Sequence, residues 1–290
     1  MADHSAKPDA RVVSAQFVFP FVLTTTLFAL WGFANDITNP MVAAFKAVFI
    51  EINNTQSSLV QFAFYGGYAT MAIPAALFIR KFSYKSGILL GLALYALGAL
   101  LFLPAALTEN FYWFPFSLYI LTFGLAFLET TANPYILSMG DPATATRRLN
   151  LAQAFNPMGS LLGMLVASKL VLRNLRAERF FADITATLRA QSVPESGMAE
   201  AIKTHISAPA NQAAYAAMKT HDIAVIRDPY VILGLVVAVF FFIFLFSKIP
   251  AQHTADHIHP IETAKRLLRN RNWVGGVIAQ TFYVAAQITC

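Results

Sequence analysis

The chain has 290 residues, 57% of them hydrophobic and 12% charged. A soluble domain carries about 25% charged residues, so this chain has too little polar surface to cover itself in water, and a bilayer is the solvent that suits it. The net charge of +6 comes without a basic run or a nucleic-acid module, and the single cysteine, Cys290, excludes an intrachain disulfide and a cysteine-rich zinc site.

Residues 1–16 are polar and mixed in charge. The apolar stretch from Phe17 is too long for a signal-peptide core and lacks a small-x-small cleavage site, so it reads as a retained membrane helix. A bilayer core needs about 20 apolar residues per helix. The segments Phe17–Phe49, Ser57–Ile79, Ser86–Ala106, Tyr112–Met139, Arg148–Leu172 and Pro229–Ile249 meet this, and a further one begins near Trp273 and stops at Cys290. The predicted fold class is therefore an all-α membrane protein: a six-helix bundle plus part of a seventh helix.

Arg80, Lys81 and Lys85 lie between segments two and three, and Arg147 and Arg148 between four and five. Lys248, Lys265, Arg266, Arg269 and Arg271 lie between six and seven, whereas Glu51–Gln56 and Leu107–Phe111 carry no Lys or Arg. This alternation predicts a cytoplasmic N-terminus. Arg173–Asp228 is then a long outside loop, charged with both signs, with Ala/Leu/Glu stretches suited to short surface helices. The domains expected are 1–250 as the six-helix bundle, 251–272 as a central cytoplasmic linker, and 273–290 as the start of a second bundle. A membrane helix ending partway across leaves carbonyls unpaired in lipid, so the sequence is expected to be truncated from a longer protein and unable to transport alone.

Ionisable groups inside the membrane are the sharpest signal. A carboxylate at a helix centre costs about 2.5–3.5 kcal/mol on insertion scales and marks function by default; the bland alternative is a capping or helix-pairing acid. Asp36 in segment one and Glu129 in segment four are such groups. Each stands shortly before an Asn-Pro, in Asp36-Ile37-Thr38-Asn39-Pro40 and Glu129-Thr130-Thr131-Ala132-Asn133-Pro134, so each acid shares a helix face with its Asn. Each Pro removes a backbone donor. Segments one and four open the two halves of a 3+3 repeat, and Pro-interrupted helices at matching repeat positions point to a transporter's binding site.

Polar stripes follow. Gln61, Tyr65 and Tyr68 recur at helical spacing in segment two, Asn150, Gln153 and Asn156 in segment five, and Gln280, Tyr283 and Gln287 in segment seven. Amides donate and accept in pairs, which suits adjacent sugar hydroxyls; one stripe alone would suit ordinary interhelical bonding. Together with two intramembrane acids, the stripes predict a polar ligand cavity. Gly66, Gly67, Gly87, Gly91, Gly98, Gly159 and Gly163 suit close helix packing. His253, Asp256, His257 and His259 have no fixed partner, and no metal is assigned to them. Among enzyme signatures, His-Glu-x-x-His, the nucleophile elbow, Walker A and Gly-x-Gly-x-x-Gly are absent.

Three runs resemble the fucose/glucose–galactose permease family of the major facilitator superfamily: Trp31–Asn35, Leu128–Pro134 and Arg148–Asn156. Phe82–Gly87 and Ala279–Gln287 are also similar, and the resemblance covers nearly the whole chain, least in Arg173–Asp228. It implies a twelve-helix proton-coupled sugar symporter in a bacterial inner membrane, with the proton-coupling acid at Glu129 and sugar-facing amides at Gln153 and Asn156. The sequence departs from the fucose members where their helix-one acid aligns with Asn39; here Asp36 stands one turn earlier. The loop between segments two and three also carries Arg80 where the superfamily usually has an Asp.

The resulting expectation is a carrier importing a monosaccharide of fucose, glucose or galactose type by alternating access. Protons, or else sodium, would drive it, membrane lipid would surround it, and neither cofactor nor nucleic acid is implied. Glu129 and Asp36 are the coupling candidates. Asn39, Asn133, Gln153, Asn156, Gln61, Tyr65, Gln280 and Gln287 are the substrate-binding candidates. An efflux carrier for apolar compounds would want fewer cavity amides. An intramembrane enzyme on lipid-linked sugars would need a nucleophile or metal site.

Overall fold

The computed structural model describes residues 12–248 and 260–289, and every regular element among them is helical. The α-helices are α1 Val18–Thr38, α2 Met41–Val48, α3 Asn54–Ser57, α4 Leu59–Lys81, α5 Tyr84–Leu100, α6 Phe102–Thr108 and α7 Trp113–Leu137. They continue as α8 Ala145–Gln153, α9 Phe155–Val166, α10 Ala177–Ala190, α11 Met198–Ser207, α12 Pro209–Phe246, α13 Pro260–Arg269 and α14 Arg271–Thr289. Six stretches among the described residues are long and apolar enough to cross a membrane: Ala15–Val48, Asn54–Lys81, Tyr84–Thr108, Trp113–Leu137, Pro142–Ala190 and Pro209–Phe246.

Local chemistry starts and stops these spans. Asn53 and Gln56 form a reciprocal capping box that opens the second span, and Ser83 accepts from the Ser86 N–H at the start of the third. In the first span, Pro40 removes the backbone bond to the Asp36 carbonyl, and the helix breaks between Thr38 and Met41. The fourth span differs: Pro134 lies inside α7, which stays helical to Leu137. The two Asn-Pro sites are therefore not equivalent, because one breaks its helix and the other only frees a carbonyl near its end.

The first and fifth spans meet backbone to backbone. A Cβ on Gly159 would collide with the Ala29 carbonyl, and one on Gly32 with the Asn156 carbonyl, so only glycine permits this approach. One end of the bundle is sealed by rings. Phe45 and Phe114 lie 4.9 Å apart, and Phe102 stacks on Tyr230 at 4.0 Å. The Tyr230 hydroxyl lies 3.1 Å from that of Thr38.

The region expected to be a long loop is mostly helix, and the sixth span opens at Pro209 rather than Pro229. Pro209 takes the N-terminal position where its missing N–H costs nothing, and Ala213, Ala214, Ala216 and Ala217 are strong helix formers. Pro229 costs the helix its bond to the Val225 carbonyl but does not end it. The expected short surface helices are α10 and α11; Ile184, Leu188, Met198 and Ile206 bury their apolar sides together.

The described residues 260–289 belong to a separate compact unit. Within it, the Asn270 side chain accepts from the N–H groups of Asn272 and Trp273 and starts α14. The segment His253–His259 lies outside the described residues.

Candidate functional site

Glu129, Thr130 and Asn133 lie on α7 and, with Ala126, face Tyr68 and Ala72 of α4 across a cavity of about 320 Å³. Glu129 is half-buried, and among the described residues its carboxylate makes no hydrogen bond or ion pair. An apolar helix is a costly place for such a group unless it serves the cavity it faces.

Asn133 does not bind the Glu129 carboxylate. Its Nδ2 donates to the Glu129 backbone carbonyl at 3.1 Å, and its Oδ1 accepts from Gln153 Nε2 at 3.2 Å. This bond links the fourth and fifth spans beside the acid. On the opposite side, Trp31 Nε1 donates to the Tyr68 hydroxyl at 2.6 Å, and that hydroxyl donates to Asn35 Oδ1 at 3.4 Å. These bonds tie α1 to α4 at a cavity-lining phenol. Tyr68 belonged to a predicted stripe, and Trp31 and Asn35 to a family-like run, but spacing alone paired none of them.

The other predicted residues separate. Asp36 is half-buried and accepts from the exposed Asn39 at 3.4 Å, a long bond outside the Glu129 cavity. Asn156 turns to the first span and donates to the Phe28 carbonyl at 3.4 Å. Gln61 is half-buried, and Tyr65 is exposed with its ring edge-on to Phe64. Gln280 is exposed in the separate unit that holds residues 260–289, and the Gln287 side chain lies outside the described residues. The structure thus joins Glu129, Asn133 and Gln153, while Asp36 with Asn39, and Asn156 by itself, have other partners.

Two structural residues were not legible. Arg148, grouped with Arg147 as a loop charge, is fully buried. Its guanidinium donates to the carbonyls of Ile136 at 2.8 Å, Leu137 at 2.6 Å and Val12 at 2.9 Å, and to Thr144 Oγ1 at 3.0 Å. It closes the end of α7, the helix that carries Glu129, where helix carbonyls lack partners. Asp222, expected in a loop, is also fully buried, and its carboxylate accepts from the N–H groups of Arg176 and Ala177 at the start of α10.

Comparison with known proteins agrees with this architecture. A family profile described as Major Facilitator Superfamily matches residues 12–181. The chain is 56% identical over 284 residues to the L-fucose-proton symporter of Haemophilus influenzae, covering 97% of this chain and 62% of that one. It is 34% identical over 282 residues to the L-fucose-proton symporter of Escherichia coli, covering 96% and 59%. A glucose/galactose transporter of Brucella abortus is 39% identical over 161 residues, 55% of this chain and 39% of that one. The chain thus spans about three fifths of the length of the fucose relatives. A crystal structure of the E. coli fucose:proton symporter superposes with a TM-score of 0.70 at 32% identity, covering 93% of this chain and 60% of that one. With six apolar helices in that arrangement, this is a multi-pass membrane protein, and it belongs to the Major Facilitator Superfamily.

Proposed function

We propose that residues 12–248 form the N-terminal bundle of a proton-coupled monosaccharide importer, with L-fucose the first sugar to test and glucose and galactose next. The observation that carries this reading is the unpaired Glu129 carboxyl in a cavity whose edge holds the Asn133–Gln153 amide pair. Glu129 takes and returns the proton. Asn133 and Gln153 offer amide donors and acceptors to sugar hydroxyls, with Asn156, Gln61 and Tyr65 on neighbouring turns. Asp36 and Asn39 order the first span near its break. A second bundle, beginning after the linker 251–272 and contributing Gln280 and Gln287, rocks against the first so that the site opens to each side in turn. The names of the fucose and glucose/galactose relatives support the same substrate class.

Uptake of labelled L-fucose, D-glucose and D-galactose into membrane vesicles tests this. Accumulation with an acid exterior and its loss on adding a protonophore are expected. Uptake indifferent to the proton gradient would remove the coupling, and failure of all three sugars would remove the substrate class.

We also propose an inner-membrane orientation with the N-terminus in the cytoplasm. Glu51 Oε1 accepts from Lys219 at 2.9 Å and Glu109 from Thr220 at 2.7 Å, which gathers the turns after the first and third spans against the start of the sixth. At the opposite end, Lys85 donates to the Leu245 and Ser247 carbonyls, and Arg148 joins Val12 to the end of α7. The short Lys- and Arg-bearing turns thus share one end, which the positive-inside rule, counted over short loops and not over the long charged segment after Leu172, assigns to the cytoplasm. In a Cys290→Ser background, single cysteines replacing Asn54 or Ser196 should react with an impermeant thiol reagent in intact cells, and one replacing His257 should not. The reverse labelling pattern would invert the topology.

A further inference from the structure

At the end of the bundle where Glu51 meets Lys219, a pocket of about 630 Å³ is lined by Arg173, Arg176, Arg179 and His221, with Phe180 and Val225 at its wall. The three arginines are exposed, and among the described residues their guanidinium groups make no ion pair. Of the nearby acids, Glu178 on α10 makes no ion pair with these arginines, and Asp222 and Asp228 are engaged elsewhere. Asp222 is buried, accepting from two backbone N–H groups and lying 2.9 Å from His221 Nδ1. Asp228 accepts from Arg227 at 2.8 and 2.6 Å. The pocket lining, with three arginines and no acid, therefore keeps an excess of positive charge and free donors that a ligand can meet.

Val225 also lines a second, apolar groove of about 590 Å³ between the first, fifth and sixth spans. Its walls include Leu162, Val166, Leu170, Ile232 and Val236. The two spaces share Val225 as a wall, and Asp228, paired with Arg227, also lines the groove. Arg173 directly follows the apolar run that ends at Leu172, and the pair Arg227-Asp228 precedes the one that starts at Pro229. The basic pocket thus sits where apolar surface gives way to polar surface, at headgroup depth, and the groove lies beside it among residues of the apolar spans.

We propose that this composite groove binds one anionic phospholipid, its phosphate held by Arg173, Arg176, Arg179 and His221 and one acyl chain lying between the fifth and sixth spans. The forked donors of arginine match phosphate oxygens, and basic groups at a membrane surface favour anionic over zwitterionic lipid. A free anion would use the pocket without the groove, and an apolar solute the groove without the pocket; their adjacency across Val225 favours a molecule with both parts. The site goes beyond the transport reading and does not depend on it.

The purified chain in non-ionic detergent can be titrated with dioleoyl-phosphatidylglycerol, dioleoyl-phosphatidylcholine or inorganic phosphate, with bound molecules counted by native mass spectrometry. Phosphatidylglycerol should be retained about tenfold or more over phosphatidylcholine, and inorganic phosphate should not displace it. The triple variant Arg173→Gln, Arg176→Gln, Arg179→Gln should bring phosphatidylglycerol down to the phosphatidylcholine level. Val236→Trp, which fills the groove and leaves the arginines intact, should also release phosphatidylglycerol. Arg189→Gln, elsewhere on α10 and paired with Glu195, should change nothing. Should the triple variant fail to fold, Val236→Trp and the single change Arg173→Gln carry the same test. Equal retention of the two lipids, displacement by inorganic phosphate, or retention undiminished in the groove and arginine variants would overturn the proposal.

Discussion

Glu129→Gln should abolish proton-driven sugar accumulation while sugar exchange survives, in vesicles that hold this bundle together with its C-terminal counterpart. The amide keeps the size of the carboxyl and imitates its protonated state but can release no proton. One proton driven through about 100 mV is worth about 2.3 kcal/mol. At about 1.4 kcal/mol per tenfold, that sustains roughly a 50-fold sugar gradient, and the variant should fall to equal concentrations inside and out. Exchange needs only binding and reorientation, and the amides of Asn133 and Gln153 remain in place for both. Asp36→Asn should behave differently. Asp36 is outside the Glu129 cavity and holds one long bond to Asn39, so its loss should weaken sugar affinity and leave coupling largely intact. Accumulation that persists in Glu129→Gln and disappears in Asp36→Asn would exchange the two roles. Loss of exchange in both would mean that neither is a simple proton carrier.

Arg148→Met should cost the fold about 3 kcal/mol or more. The guanidinium serves the carbonyls of Ile136, Leu137 and Val12 and the hydroxyl of Thr144 from a fully buried position. A buried acceptor left without its donor costs about 1–3 kcal/mol, and Met fills the space while donating nothing. Arg148→Lys should recover only part of the loss, because one ammonium cannot reproduce the planar fork. Arg147→Ala, at the exposed neighbouring position, should stay within about 0.5 kcal/mol of the parent. Unfolding of the purified protein in detergent measures all three. A common unfolding temperature for Arg148→Met and Arg147→Ala would show that the buried bonds contribute little. Because Arg148 closes the helix that carries Glu129, its loss should also blunt transport in proportion to the loss of folded protein.

The spans were legible because crossing a bilayer imposes a length and an apolar composition on each helix separately. The fifth runs on to Ala190 where hydropathy ended it at Leu172, and of the other five, four began and ended within a few residues of the expected bounds. The sixth did not, because hydropathy registers only the part that lipid surrounds; the stretch from Pro209 to Asp228 is polar, and it continues the same helix outside that layer. Pro40 and Pro134 looked alike in sequence, and only the surrounding structure distinguishes a broken helix from one that ends three residues later.

A similar division runs through the candidate site. Glu129 and Asp36 both stood out unaided, since a carboxyl in an apolar helix is conspicuous whatever packs around it. Helical spacing placed Asn133 on the same face as Glu129 but did not show that its amide would meet the Glu129 backbone and Gln153 rather than the acid. Tyr68, Trp31 and Asn35 come from two helices whose contact no local pattern encodes. Arg148 and Arg147 are adjacent residues of one type, and a difference of about 100° around the helix buries one and exposes the other. By itself, the amino-acid sequence determined that the chain crosses a membrane, where four of the six spans lie, and which two acids the bilayer makes costly, since these follow from the solvation of each segment taken alone. The tertiary structure decided which carbonyls an arginine closes, which amides meet, and which polar side chains share the cavity, because those depend on the distances between segments far apart in the chain.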